Sequence, residues 1–128
     1  MSYTGSIINY SPTKIFPTAE SLTGAAFTAV ELGENGFTTA SASSIPFGII
    51  TAEHELPIAA GEDVTAQTEG GTLWQVGEAV KAGDLLSAGD GGKAVKATSG
   101  KFIFAQATEN GAASSAVHVQ IIKAGYAN

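Results

Sequence analysis

Two histidines, His54 and His118, are the side chains best suited to acid–base or metal chemistry in this chain of 128 residues. His54 lies between Glu53 and Glu55, and three such side chains could in name supply ligands for a metal ion. Adjacent side chains of an extended segment point to opposite faces, however, so they do not converge on one ion without a special turn. We therefore expect ordinary surface or hydrogen-bonded histidines and no metal site.

The hydroxyl and carboxylate side chains form no recognisable catalytic pattern. Serine is frequent, but no Gly-x-Ser-x-Gly segment occurs, and neither histidine has a patterned acidic partner that would complete a triad. Acidic pairs occur at Glu53/Glu55 and Glu62/Asp63, yet nothing in the sequence indicates the burial that would raise the pKa of one member. Cysteine is absent, which excludes disulfides, thiolate metal sites and a cysteine nucleophile. We expect a protein that is not an enzyme and binds no cofactor.

Glycine-rich segments at residues 70–71 and 89–92 invite comparison with phosphate-binding loops. Neither shows the Gly-Lys-Ser/Thr or Gly-x-Gly-x-x-Gly pattern at the start of a helix, so hairpin turns explain both. Residues 80–86 contain Val-x-x-Gly-Asp-x-Leu, which is similar to a sequence motif of biotinyl and lipoyl carrier domains. Lys93 lies at about the distance from this motif at which those domains carry the modified lysine. The Gly-Gly-Lys-Ala context departs from the carrier patterns, so a carrier domain is an alternative interpretation.

Short strands must position these residues. Apolar segments of five or six residues recur about every ten residues and are separated by glycine-containing turns, which is typical of a sandwich or barrel. In residues 117–122, Val117, Val119 and Ile121 fall on one face of a strand. A helical period is not sustained beyond a short turn at residues 53–60. The sequence predicts an all-β fold, a small β-sandwich or barrel-like domain of short strands with an extended N-terminal arm.

The arm comprises residues 1–20 and the β domain residues 21–128. Two prolines interrupt regular pairing in the arm, and its large apolar side chains are Ile7, Ile8, Tyr10, Ile15 and Phe16. Such an arm either closes onto its own domain or docks on a neighbouring chain. In the β domain, Phe47, Trp74, Phe102 and Phe104 supply large side chains, mainly for the core, and the residues of any oligomer interface are unknown.

The chain also resembles itself when it is shifted by about 55 residues. Residues 29–36 lie over 85–92, where an apolar strand runs into an acidic, glycine-bounded turn. Residues 46–49 lie near 103–106, and residues 64–67 match 117–120. The pattern predicts two similar β units, about 22–68 and 78–122, packed together.

Composition and charge narrow the range of partners. Six lysines and no arginine against twelve acidic residues give a formal net charge of −6, so we expect no nucleic acid partner. No apolar run approaches the length of a membrane span and the first residues do not look like a secretory signal, so we expect a soluble protein with no membrane partner. Glycine, alanine, serine and threonine make up 62 of the 128 residues, and only 14% are charged, which suits packing against other proteins.

The order of the motifs resembles that of the phage capsid decoration, or cement, proteins. The matching segments are residues 24–27, 47–50, 59–64, 80–86, 89–95, 104–107 and 117–120. The resemblance implies a small all-β protein that is added to the outside of an expanded tailed-phage head, where it bridges major capsid protein subunits as a homotrimer, or as a dimer or monomer. It brings no catalytic site.

The resemblance implies that the protein is located in the host cytoplasm before assembly and on the outer capsid surface of the virion afterwards. Ile7, Ile8, Tyr10, Ile15 and Phe16 are the expected capsid contacts, because they are apolar and lie outside the two units. A head-fibre or host-surface adhesion module is the alternative, although one tryptophan and three tyrosines offer few aromatic side chains for glycan recognition.

Overall fold

The computed structural model describes residues 12–42, 44–51 and 57–128. In these ranges the chain forms ten strands in two antiparallel five-stranded sheets, together with one short 3₁₀ turn, Asp90–Gly92. The predicted all-β sandwich is thereby confirmed. The strands are β1 (Thr13–Pro17), β2 (Ala29–Gly33), β3 (Gly36–Thr39), β4 (Gly48–Ile50), β5 (Asp63–Gln67), β6 (Gly70–Gln75), β7 (Leu85–Ala88), β8 (Ala94–Lys96), β9 (Phe102–Ala107) and β10 (Ala116–Tyr126).

The chain completes one sheet before it begins the other. The first sheet has the order β1-β5-β4-β2-β3, and the second has the order β6-β10-β9-β7-β8. Each strand of the first sheet therefore has a counterpart five strands later, in the same place in the second sheet. We call residues 12–69 the first unit and residues 70–128 the second unit.

The correspondence between the units extends to single residue pairs. Outside the strands, a bridge pairs Leu22 with Ile58 in the first unit, and a bridge pairs Val80 with Gly111 in the second, at positions 53 to 58 residues later. The segments that match in sequence fall on corresponding strands, namely β2 and β7, β4 and β9, and β5 and β10. The internal similarity of the sequence is thus a similarity of topology.

Each sheet also closes on itself at one end. The chain leaving the edge strand β1 forms a parallel bridge from Thr18 to Phe37, which lies on the opposite edge strand β3. In the second unit, Val76 after β6 forms the equivalent bridge to Ala94 on β8. These closures give each unit a barrel-like end and pair backbone groups that an open sheet edge would leave exposed.

Two apolar clusters form the core, and alternation along the strands divides residues between them. Val30 and Ile50 belong to the cluster inside the first unit. Their neighbours Ala29 and Ile49 point to the opposite face of the first sheet and belong to the cluster of the second unit, which is centred on Trp74. The two units therefore share a continuous packed interface.

The last part of the predicted arm lies in the first sheet. β1 pairs with β5 along its full length, from Thr13 opposite Gln67 to Pro17 opposite Asp63. Residues 1–11 and the first half of the predicted turn at residues 53–60 lie outside the described residues. Of the two options for the arm, residues 13–17 adopt the first, because they pair with their own domain.

Candidate interaction surfaces

Two of the five expected capsid contacts, Ile15 and Phe16, lie on opposite faces of β1. The side chain of Ile15 is 61% exposed. The ring of Phe16 is half-buried and packs edge-on against Phe37 and Phe47, with ring centroids 5.5 and 5.8 Å away. Ile7, Ile8 and Tyr10 lie outside the described residues. β1 thus presents Ile15 outward and uses Phe16 to hold the strand on the core.

Several further large apolar side chains are exposed that the sequence did not single out. They are Leu32, Ile45, Leu85, Ile122 and Tyr126. Leu32 and Leu85 are each 41% exposed, although both lie in apolar strand segments that read as core. The signal for this exposure was the alternation of side chains along a strand, in which neighbours point to opposite faces. Leu86 is fully buried, and Leu85 beside it therefore points outward.

The four large side chains expected to build the core divide in the same way. Trp74 and Phe104 are fully buried with their rings 5.6 Å apart at 79°, and the Trp74 indole donates a hydrogen bond to the Gly92 carbonyl. Phe47 and Phe102 are half-buried. Phe102 packs edge-on against the exposed ring of Tyr126, beside a small cavity of about 130 Å³ that Ile45 also lines.

An open cleft of about 600 Å³ lies on the second unit. Its polar lining is Lys81, Asp84, Lys96 and Asn110. The Asp84 carboxylate accepts a hydrogen bond from the Lys81 backbone N–H, and the Asn110 side-chain oxygen accepts one from Ala82. Both lysine side chains are exposed, so the lining combines two lysines with the one carboxylate of Asp84, on a chain that is acidic as a whole.

A smaller cleft of about 260 Å³ lies at the corresponding place on the first unit. Its first-unit lining includes Leu22, Thr28 and Thr39, which are the counterparts of Val80, Asp84 and Lys96. Here the second unit supplies the remaining wall, through Gln75, Gly91 and Lys93. We call this the covered cleft and its counterpart the open cleft.

The covered cleft is joined to the second unit by specific hydrogen bonds. The Gln75 side-chain amide donates to the Gly24 and Ala26 carbonyls, and the Gln75 backbone N–H donates to Phe27. A Cβ on Gly92 would lie 2.5 Å from the Ala29 carbonyl oxygen, so the turn after β7 approaches β2 more closely than any side chain would allow. Gly92 also has a positive φ of 72°, which favours glycine.

Charge is divided unevenly between the units. Up to residue 69 the sequence has one lysine and eight acidic residues, a formal charge of −7. From residue 70 onward it has five lysines and four acidic residues, a formal charge of +1. The surface potential of the molecule is therefore polarised along the direction that joins the two units.

His118, one of the two histidines first considered for chemistry, has a structural partner. His118 forms a 2.9 Å contact from Nδ1 to the Glu109 carboxylate, which also accepts a hydrogen bond from the His118 backbone N–H. That backbone hydrogen bond, together with the side-chain hydrogen bond, lowers the pKa of Glu109 below its ordinary value. His54, Glu53 and Glu55 lie outside the described residues. Among the residues described, no group of three potential metal ligands is found.

Carboxylates elsewhere fasten turns and strand ends. Glu20 accepts a hydrogen bond from the Thr39 backbone N–H, and its counterpart Glu78 accepts one from Lys96. Glu62, one of the acidic pair, accepts a hydrogen bond from Ala59. Lys93, the residue of the carrier alternative, follows the 3₁₀ turn and lines the covered cleft at the contact between the units. No helix in the described part of the chain is both long and apolar enough to cross a membrane.

No protein-family model matches the sequence, and no curated protein sequence matches it. Among solved structures, the chain is similar to the crystal structure of the N base of head fiber gp8.5 in bacteriophage phi29. The TM-score is 0.67 at 17% sequence identity, over 91% of this chain and 98% of that chain. At this identity the similarity is one of fold, and the shared fold is that of the base of a bacteriophage head fiber.

Proposed function

We propose that the protein is a structural component of a tailed-phage head and attaches to the outer surface of the expanded capsid as a decoration protein. The observation that carries the proposal is the shared fold with a phage head fiber base, which spans almost the whole of both chains. The motif order that resembles decoration proteins supports the same role from the side of the sequence.

The surface of the molecule suits such a role. Charged residues are few, and the described carboxylates discussed above mostly accept backbone hydrogen bonds at turns and strand ends. A broad contact with a shell protein would therefore bury few unpaired charges, which are costly to desolvate. We propose a purely binding role with no catalytic step and no cofactor.

The proposed capsid contact is the N-terminal segment, and its apolar anchors are Ile7, Ile8, Tyr10 and Ile15. Phe16 packs on the core and holds β1 in place. Ile15 is the most exposed of the large aliphatic side chains in the described part of the chain, and it lies on an edge strand. An edge strand can add a partner strand through backbone hydrogen bonds while its outward side chains fit the partner's surface. As a homotrimer, the protein would present three such anchors and bridge neighbouring major capsid protein subunits.

The test is binding to expanded shells that lack this protein. We expect the purified protein to sediment with the shells until a fixed stoichiometry is reached. Because a central apolar anchor is often worth a large share of the binding free energy, Ile15→Ser should weaken binding at least about tenfold. Ile45→Ser is the matched control, since Ile45 is also aliphatic and 53% exposed but lies on the loop between β3 and β4.

A head-fibre module is the second candidate, and the fold of the phi29 structure favours it specifically. A decoration protein that clamps subunits should raise the temperature at which the shell dissociates, whereas a fibre base should bind without changing that temperature. Calorimetry of shells with and without bound protein separates the two. A protein that stays in the supernatant with every shell tried would contradict both.

A further inference from the structure

The two units present the same face in different surroundings. In the first unit, Ala29 and Ile49 are fully buried because the second unit packs on them. Register identifies their counterparts, since Ala29 pairs with Ile49 across β2 and β4, and Leu85 pairs with Gln106 across β7 and β9. Leu85 is 41% exposed and Gln106 is half-buried. The second unit thus carries an uncovered copy of a face that is buried in the first.

One of the elements that pack on this face in the first unit is the turn between β7 and β8. Gly92 in that turn contacts Ala29, and Gly91 and Lys93 line the covered cleft. The counterpart of this turn joins β2 and β3 in the first unit, at residues 33–36. Leu32, Glu34 and Asn35 are exposed there. Within the described residues, each molecule therefore has an uncovered face and an exposed turn of the kind that packs on such a face.

Charge and apolar character match between the free turn and the open cleft. The turn carries Glu31 and Glu34 beside the exposed Leu32. The open cleft carries Lys81 and Lys96 against the single carboxylate of Asp84, on the same unit as the exposed Leu85. The β7–β8 turn of the second unit does not fill the open cleft, because it packs on the first unit.

We propose that the open cleft binds the β2–β3 turn of a second copy of this chain, so that the contact between copies uses the face that is equivalent to the one between the units. Leu32 of one copy packs near Leu85 of the next, and Glu31 and Glu34 face Lys81 and Lys96. The contact joins two different surfaces, so it is head-to-tail and produces either a closed ring or an open filament. It goes beyond the capsid-binding role, because it concerns only how copies meet.

Burial of the open cleft leaves its backbone groups satisfied. The Ala82 N–H donates to Asn110, the Lys96 N–H donates to Glu78, and the Gly83 carbonyl accepts from the Gln106 side chain. Docking of the turn therefore replaces water with an apolar and oppositely charged surface and does not break these hydrogen bonds. A buried backbone group without a partner would cost more free energy than a new contact gains.

The test is a charge swap read by light scattering coupled to size exclusion and by sedimentation equilibrium. Glu31→Lys/Glu34→Lys and Lys81→Glu/Lys96→Glu each place like charges across the contact, and each should raise the dissociation constant of the wild-type oligomer at least about tenfold. The quadruple variant, with all four changes in one chain, should restore association. Lys81 and Lys96 donate hydrogen bonds to carboxylates through their backbone N–H groups, so a change of side chain retains these hydrogen bonds.

Lys101→Glu is the control, because it reverses one lysine outside the cleft and should leave the oligomer unchanged. Circular dichroism and thermal melts establish that each variant is folded. A wild-type protein that is monomeric at all concentrations, or an oligomer that both reversals leave intact, would overturn the proposal. Failure of the quadruple variant to associate while it remains folded would overturn it as well.

Discussion

The first and second units have the same strand order but opposite surface properties. The first unit is strongly acidic and its outward face of β2 and β4 is buried, whereas the second unit is nearly neutral and the equivalent face of β7 and β9 is uncovered. The difference is concentrated in a few side chains, such as Ala29 against Leu85 and Ile49 against Gln106. One topology can therefore serve as an internal support or as an outer surface, according to the residues on one face.

The units also solve one backbone problem differently. The chain enters β7 through Gly83, which has a positive φ of 95°, and enters β2 through Phe27, which has a positive φ of 63°. Gly83 donates its N–H to Ala107, and Phe27 donates its N–H to Ile50 in the equivalent place. Phe27 also accepts a hydrogen bond from Gln75 of the second unit. Contacts between the units thus help to hold a strained residue where the second unit uses glycine.

Removal of the central aromatic residue should have the largest effect. Trp74→Ala deletes a fully buried ring, its contact with Phe104 and its hydrogen bond to Gly92, so we expect a loss of about 3–5 kcal/mol in the free energy of unfolding. The counterpart Phe16→Ala should cost only about 2 kcal/mol, because that ring is half-buried. Urea unfolding compares the two, and equal losses would contradict an aromatic centre in the second unit.

The second largest effect is expected from a methyl group added at Gly92, where the two units approach each other closely. Gly92→Ala places a methyl group against the Ala29 backbone in a left-handed conformation, so we expect it to cost about 2–3 kcal/mol. Gly91→Ala has a similar positive φ but nothing within 4 Å of the added Cβ, so it should cost only about 1 kcal/mol. Thermal and urea unfolding of both variants measures the difference. Equal costs would mean that strain alone, and not the close approach, makes glycine necessary.

Substitutions at the equivalent residues Ala29 and Leu85 test the difference between the covered face of the first unit and the uncovered face of the second. Ala29→Leu forces a larger side chain into the packed interface, so it should destabilise the chain by about 1–3 kcal/mol. Leu85→Ala shortens a side chain that is 41% exposed, so for the monomer we expect a loss below about 1 kcal/mol. If Leu85→Ala were the more damaging in dilute monomer, the face assignment would be wrong.

The smallest effect concerns the exposed pair of Glu109 and His118 on the second unit. Because hydrogen bonds from His118 lower the pKa of Glu109 in the folded state, this carboxylate stabilises the fold above its ordinary pKa of 4.5. That stabilisation is lost as the pH falls through the lowered pKa. Glu109→Gln should lower the melting temperature slightly at pH 7 and converge with the wild type in acid. Asp90→Asn controls for the loss of one negative charge.

The sequence predicted the class of fold because it depends on local patterns. Short apolar segments between glycine turns are visible along the chain, and residues 64–67 and 117–120 lie on strands that are second from the edge in their sheets. Pairing partners were not predictable in the same way. Phe16 and Ile15 look equally apolar in sequence, and only the pairing of β1 with β5 decides which one faces the core.

The two clefts illustrate what sequence patterns could not provide. Lys81 and Lys96 are 15 residues apart and separated by a hairpin, so only the closed sheet brings them to one cleft. Whether that cleft is open depends in turn on where the neighbouring unit packs, which is a property of tertiary structure. The uneven division of charge was present in the sequence throughout, but it acquires meaning only when residue 69 is seen to separate two sheets.

The assembly of each sheet from one continuous stretch of chain has a consequence for synthesis. The most distant pairing of the first sheet joins Thr13 to Gln67, so all of its strands have been made before the second sheet begins. Units at the N-terminus generally fold first as a chain emerges from the ribosome. The first sheet can thus form early, with the apolar face of Ala29 and Ile49 unprotected until translation delivers the strands that cover it.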